Sequence, residues 1–522
     1  MTGEGKLRIT NTARRFGTRH WVVTRGTVTA GVLILGLCTV WKPLLAVALM
    51  ALVGFAVIGM HGKTRLAGTF LTVLGILLIG FAFLGRGFAY VNVPPAFIGD
   101  VVLGFGFAAL VASGVILKSM RTSLSWLLIA FMSWGALGLA LDIQAYGLDA
   151  LRDSVIWAYG AFALLVTASL LRTRWLVRVP RHYSSLLPVF LCWAPIAVLI
   201  TRLEPSFIPA APGSDVPILF VYTSQVATHL SGAAAFILLG LYHSRKRDVL
   251  TGLAEWFWWL AWVVGFFAVA TSRAAILSIA LPLMLVLLFR PRSKWKKPAL
   301  VLATITAAFL VMNLSFSQPL TKYSSGREIS PAQVVANVKS IFEGDSRDDF
   351  QTRSWRLNWW GDIVDYTFFG EFFWRGKGFG VNLATDDGYQ LDVDESLRSP
   401  HNGHMTVLAR MGVPGFILWL LLQGAFGATC VLAYARAQKS GLEWWARIDL
   451  WILAYWSAFL IEAAFGVSLE GPQAGIWFWS LLGFGIAVFT TQEQVLGAQS
   501  DEVECTQPRR RHHALTSHRY LP

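Results

Sequence analysis

Fourteen apolar runs divide a chain of 522 residues, and they constrain its fold more than any other feature. They lie at 27–41, 44–60, 66–84, 96–117, 123–141, 155–171, 184–201, 226–242, 251–270, 275–289, 299–316, 412–434, 448–468 and 475–490. A helix needs about 20 apolar residues to cross a bilayer. Runs 27–41 and 275–289 are short, so the expectation is about 14 transmembrane helices, within a range of 12–14. Only 14% of the residues are charged, too few to cover a water-facing surface of this size. Soluble domains and disorder are therefore excluded, and the fold class is an all-α polytopic membrane protein.

Lys and Arg set the orientation. With the N-terminus in the cytoplasm, 29 of the 44 basic residues fall on inner segments. The short outer loops hold only Lys42, Arg86, Arg152, Arg202 and Arg273. Both termini are thus expected inside, and the net charge of +14 reads as topology plus attraction to anionic lipid, with no nucleic acid partner. Trp256, Trp258, Trp259, Trp444 and Trp445 fall near the expected inner boundaries, where an aromatic belt belongs. The expected organisation is a cytoplasmic segment 1–26, a bundle 27–316 carrying spans 1–11, a large extracytoplasmic loop 317–411, spans 12–14 over 412–490, and a cytoplasmic tail 491–522. No removed signal peptide is expected, because the first run leads directly into a second through Lys42 and Pro43.

The hydrophilic stretch 317–404 carries 13 Asp and Glu against 9 Lys and Arg, and is too long to be a mere connector. Residues 350–369 have the periodicity of an amphipathic helix, with Trp355, Trp359, Ile363 and Tyr366 near one face. Residues 401–411 are expected to form a short helix feeding the next span. Between them Gly376, Gly378 and Gly380 suggest a flexible turn.

Ionisable residues at membrane depth are costly and are functional candidates. Arg273 stands at the outer mouth of two apolar runs. There it is either a planar fork for phosphate or an interfacial arginine reaching lipid headgroups. Glu462, in the outer half of its span, is a candidate partner for it. Of the ten histidines only His229, His401 and His404 are expected outside. His401 opens a polar stretch running into an apolar helix, where a neutral imidazole can accept a proton or simply sit in a capping region. His401, His404 and the Asp392/Asp394 pair also allow a divalent ion, although a solvated acidic loop is the commoner meaning of such a pair. The cysteines, Cys38, Cys192, Cys430 and Cys505, show no paired site. No phosphate-binding Gly-rich loop or dinucleotide fingerprint is present.

The stretch SRAAILSIAL around Arg273, Arg356 four residues before Trp360, the GKGFG turn, and PHNGHMTVLARMGVPGF from Pro400 together resemble the O-antigen ligase and polymerase superfamily. The resemblance is best over about 260–420. These are multispanning bacterial envelope glycosyltransferases, so it implies the bacterial cytoplasmic (inner) membrane. It implies a polyprenyl-pyrophosphate-linked glycan as donor, a sugar acceptor, and no cofactor or metal. Residue by residue it points to Arg273 and Arg356 on the pyrophosphate and His401 as base. Arg353, one turn from Arg356, is an alternative match. Asn402, His404 and Trp360 are implied in substrate binding, and Trp359, Trp360 and Phe379 are expected to stack on sugars. His404 departs from the family pattern and leaves open which histidine is the base. Polymerase and ligase share a donor and differ in acceptor. A transporter or flippase of a lipid-linked or polar precursor is the alternative, but the inverted repeats that it would show are not found.

Overall fold

The structure is a computed structural model that describes residues 63–93, 96–113, 122–173, 175–203, 205–242, 249–270, 272–289 and 347–506, except 392 and 394, with isolated positions between 299 and 307. The expected spans 27–41, 44–60 and most of 299–316 lie outside these residues. Helices form at every other apolar run. They are α1 (Lys63–Leu84), α2 (Ile98–Ser113), α3 (Ser123–Tyr146), α4 (Leu148–Ala158), α5 (Gly160–Arg172), α6 (Arg178–Leu203), α7 (Thr223–Leu238), α8 (Val249–Val269) and α9 (Arg273–Phe289). After the loop helix α10 (Arg347–Val364) come α11 (Gly403–Lys439), α12 (Glu443–Ala463) and α13 (Pro472–Thr506). Among the described residues five helices are long and apolar enough to cross a membrane, or six if the bent pair α4–α5 counts as one span. The α4–α5 bend is 45°. A two-stranded ribbon, Asn92–Val93 against Ala96–Phe97, is a small β addition to this all-helical architecture.

Contacts along the helices fix their directions. Ser224 at the start of α7 meets Glu462 near the end of α12, while Trp451 near the start of α12 donates to Gly232 O further along α7. The two helices therefore run antiparallel. Tyr434, late in α11, donates to Phe289 O at the end of α9. Arg273 begins α9, about 24 Å away at 1.5 Å per residue. It thus lies at the same end as the start of α11.

That end, here the loop end, gathers the irregular segments. Arg86 N donates to Phe220 O and Asn92 N to Pro212 O, which joins the α1–α2 and α6–α7 connections. Trp359, Ile363, Leu383, Ala384, Leu408, Ala409 and Val413 form a second core beneath the α10 loop. Both the long helix α10 and its buried face agree with the sequence pattern. Trp259 is buried at 5% exposure, so it packs inside the bundle and is no belt residue, whereas Trp256 is half exposed.

α11 begins earlier than its apolar run, at the polar motif, and breaks at Gly412. Gly412 has φ 66°, and a Cβ there would lie 2.5 Å from Phe373 O. The loop backbone enters this break. Val413 N donates to Phe373 O at 2.8 Å, and Lys377 N donates to Ala409 O at 2.7 Å. Trp134 of α3 donates to Met411 O at 2.9 Å. The break costs no buried orphan in these groups because loop and α3 supply the partners.

Candidate active site

The site is assembled where α10, the turn 376–380, and the start of α11 meet the end of α12 and the start of α13. The turn is pinned rather than flexible, correcting the expectation. Phe379 N donates to Asp142 Oδ2 at 2.8 Å, and Gly380 N donates to Asp153 Oδ2 at 2.9 Å. Gly376, Gly378 and Gly380 all have positive φ. A Cβ at Gly378 would sit 2.3 Å from Asp142 Oδ2, so only glycine lets the backbone approach that carboxylate.

Arginines complete this junction. Arg410 is 2% exposed, and pairs with Asp153 at 2.9 Å while donating to the Gly378 and Val381 carbonyls. Arg398 adds a second contact to Asp153 at 3.1 Å, and Arg375 meets Asp142 at 2.5 Å. A buried guanidinium is tolerable only with such partners. Lys377 lies over the Tyr366 ring and bridges Asp386 and Asp387. None of these charged groups was singled out in the sequence reading. Arg410 in an otherwise apolar run was the signal available, since an ionisable residue there demands a partner.

α10 carries Arg356. Its Nη1 donates to Phe465 O, just past α12, at 3.4 Å. On the same helix Trp355 has its ring centroid 6.5 Å from that of His401, and Trp360 Nε1 donates to Pro400 O at 2.9 Å. Arg356 and His401 are thereby tied to adjoining parts of one wall. Arg353 lies within α10, and its side chain is outside what is described. Trp359 and Phe379 are fully buried, so neither can stack on a sugar, contrary to expectation. Trp359 instead stacks on Tyr389 and donates to Asp387. Trp360 is half-buried.

His401 has φ 52°, a left-handed conformation unusual for a residue with a Cβ. It immediately precedes Asn402, whose side-chain oxygen accepts from His404 N at 3.0 Å and Met405 N at 3.2 Å. Asn402 is thus an N-cap, 6% exposed. His404 is held at both ring nitrogens. Trp419 Nε1 donates to its Nδ1 at 3.1 Å, and Nε2 lies 3.1 Å from Leu460 O. Because indole can only donate, Nδ1 is the acceptor and the proton must be on Nε2. Neither nitrogen is left to receive a substrate proton.

Arg273 begins α9 at the loop end, half-buried. Glu462 is not its ion-pair partner; its Oε1 accepts from Ser224 Oγ at 3.0 Å. Glu470, in the turn before α13, has Oε1 2.7 Å from Thr406 Oγ1, which also lies 3.1 Å from Asn402 O. Burial pushes the Glu470 carboxyl up to about 7. The Asp392/Asp394 pair lies outside the described residues.

A helical bundle with a polar loop folded over one end, and basic and histidine side chains collected there, defines a membrane protein with a polar, partly basic wall at that end. Residues 256–420 match the O-antigen ligase family model, which supports the O-antigen ligase/polymerase superfamily. The matched segment contains Arg273, α10, the glycine turn and the His401 motif. No match to a curated protein is found. The family supports ligase- or polymerase-type glycosyltransferase activity in general.

Proposed function

We propose that this chain transfers a glycan from polyprenyl pyrophosphate to an acceptor sugar at the extracytoplasmic face of the bacterial inner membrane. In this reading residues 317–411 are the extracytoplasmic loop between bundle 27–316 and spans 412–490, with segments 1–26 and 491–522 in the cytoplasm. His401 takes the proton of the acceptor hydroxyl. The freed oxygen attacks the anomeric carbon, the bond from that carbon to the pyrophosphate oxygen breaks, and polyprenyl pyrophosphate leaves. Arg273 and Arg356 neutralise the charge that grows on the leaving group. Arg353 and Trp360 line the donor side, and Asn402 and His404 shape the wall.

The observation that supports this reading is the attachment of the His401 segment to the helix that carries Arg356, through the Trp355–His401 ring contact and the Trp360 Nε1 bond to Pro400 O, whereas His404 has both ring nitrogens engaged by Trp419 and Leu460 O. A general base contributes about 10²–10⁴-fold. The expected result for His401→Ala is therefore loss of transfer on that scale with donor binding kept. Arg273→Lys and Arg356→Lys keep charge but lose the bidentate fork, and most activity should go with it. Transfer of labelled glycan by the purified protein should survive chelation, since arginines meet the pyrophosphate charge. Wild-type turnover in His401→Ala, or activity abolished by EDTA and restored by magnesium, would refute this mechanism.

A further inference from the structure

The loop carries an apolar surface outside the wall just described. α10 runs directly into one wider turn, Asp365–Phe369. That turn buries Thr367 but leaves Phe369 84% exposed, with Phe368 exposed beside it. Trp374 follows at 68% exposure, its ring edge-on to Phe373 at 5.2 Å. Large aromatic rings in contact with water are unfavourable, so what they meet depends on their height relative to the bilayer.

Two helices give that height. The segment carrying Trp374 is fastened at the break in α11, where Val413 N donates to Phe373 O. At the far end of α11, Arg436 pairs with Glu493 in the open, which marks the water level there. Gly412 stands 24 residues before Arg436. That is about 36 Å at 1.5 Å per residue, or about 34 Å at a tilt of about 20°. The hydrocarbon core is about 30 Å thick, and the headgroup regions bring the total to about 40–45 Å. Gly412 therefore lies in the headgroup layer. α3 allows no greater height. Trp134 donates to Met411 O, and Leu137 and Leu141, further along α3 toward the loop end, are still exposed apolar residues. Ile417, Leu420 and Leu421, on one face of α11 by their spacing, continue the exposed apolar surface from Gly412 toward the bilayer centre.

We propose that this aromatic turn is a lipid-facing foot, with Phe368, Phe369 and Trp374 inserted into the headgroup layer at the loop end of the bundle. Aromatic rings gather at that layer because it offers apolar contact beside polar groups. Glu371, exposed between Phe369 and Trp374, sets the depth, since a carboxylate belongs among headgroups and not in hydrocarbon. Arg375, paired with Asp142 of α3, fastens the segment to the bundle. Because the turn continues α10 without a break, the bilayer surface becomes a support for the helix that bears Arg356. The inference depends on the bundle spanning a membrane and on no reaction, so it stands or falls apart from the transfer mechanism.

The test uses the full chain in phosphatidylcholine nanodiscs, with Cys38→Ser, Cys192→Ser, Cys430→Ala and Cys505→Ser removing the native thiols. Phe369→Cys and Trp374→Cys are labelled separately with nitrobenzoxadiazole. Val393→Cys, at a fully exposed position on the acidic stretch, is the water-side control. Emission is quenched either by a lipid bearing a nitroxide at its headgroup or by iodide in the buffer. Both foot labels should be quenched severalfold more by the lipid nitroxide than by iodide, with the order reversed at Val393. The replaced aromatic side chains are exposed, so each labelled protein should keep the gel-filtration profile of the unlabelled one, and the second position decides if one fails to fold. Stronger quenching by iodide at either foot position, or equal lipid quenching at Val393, would overturn the proposal. Protection from both quenchers would show that another segment or a second copy covers the turn, and would overturn it as well.

Discussion

His404 and Glu470 show how single side chains around the motif divide their tasks. Replacing His404 by Phe keeps a ring but strands Trp419 Nε1 and Leu460 O, at about 1–3 kcal/mol for each orphaned group. The expected outcome is a lower unfolding temperature in detergent with residual transfer per folded molecule. Complete loss of transfer at unchanged stability would make His404 the base instead. Glu470 brings a pH dependence. Thr406 Oγ1 has one proton for two oxygens, Asn402 O and Glu470 Oε1. A carboxyl proton on Glu470 supplies the missing hydrogen bond. Its pKa is raised from 4.5 to about 7 by burial, so folding is favoured while the proton stays on. That contribution is fully present below pH 4.5 and is lost as pH rises through about 7. Its size is on the order of 3 kcal/mol. Glu470→Gln should flatten the fall of unfolding temperature between pH 4.5 and 7, and an unchanged slope would show that another group titrates.

The elements were legible where their pattern is local. Among the described residues the apolar runs became helices, and the face formed by Trp355, Ile363 and Tyr366 turned toward the second core as its spacing required. The motif helix before Gly412 was legible as well. What joins the elements was not. Arg375 and Asp142 are 233 residues apart, and Gly380 and Asp153 227. Periodicity along one chain says nothing about such partners. The glycines of the turn suggested slackness because the carboxylates that require their positive φ lie in another part of the sequence. The same blindness misassigned Trp359 and Phe379, whose burial depends on neighbours from α3, α4 and the loop. Asp153→Ala tests the junction. It leaves Arg410 buried without its carboxylate, and removing one partner of a buried pair costs about 3–5 kcal/mol. The variant should be recovered at far lower yield, or with the loop open to protease, while Asp149→Ala, on an exposed carboxylate 3.9 Å from Arg398, should be mild. Normal yield and protease resistance in Asp153→Ala would show that the pair is dispensable.

At the scale of the whole molecule the loop-end segments gather on one side of the bundle, which is what alternating spans require. Which side faces the cytoplasm is carried by the Lys and Arg asymmetry. Cysteines introduced at Ser325 and Ser346 should react with an impermeant thiol reagent in intact spheroplasts, and protection of both until lysis would reverse the orientation. The carboxylates that anchor the turn have a consequence for how this protein can be divided. The family match spans 256–420, yet Asp142 and Asp153 lie more than a hundred residues before it. The matched segment is therefore no portable cassette. Moved into a foreign bundle, it would carry a buried guanidinium and two backbone amides whose counterparts stayed behind. A chimera that exchanges this loop between proteins must transplant α3 and α4 together with it, so that the inheritable unit is a discontinuous one, stitched across the chain by charge.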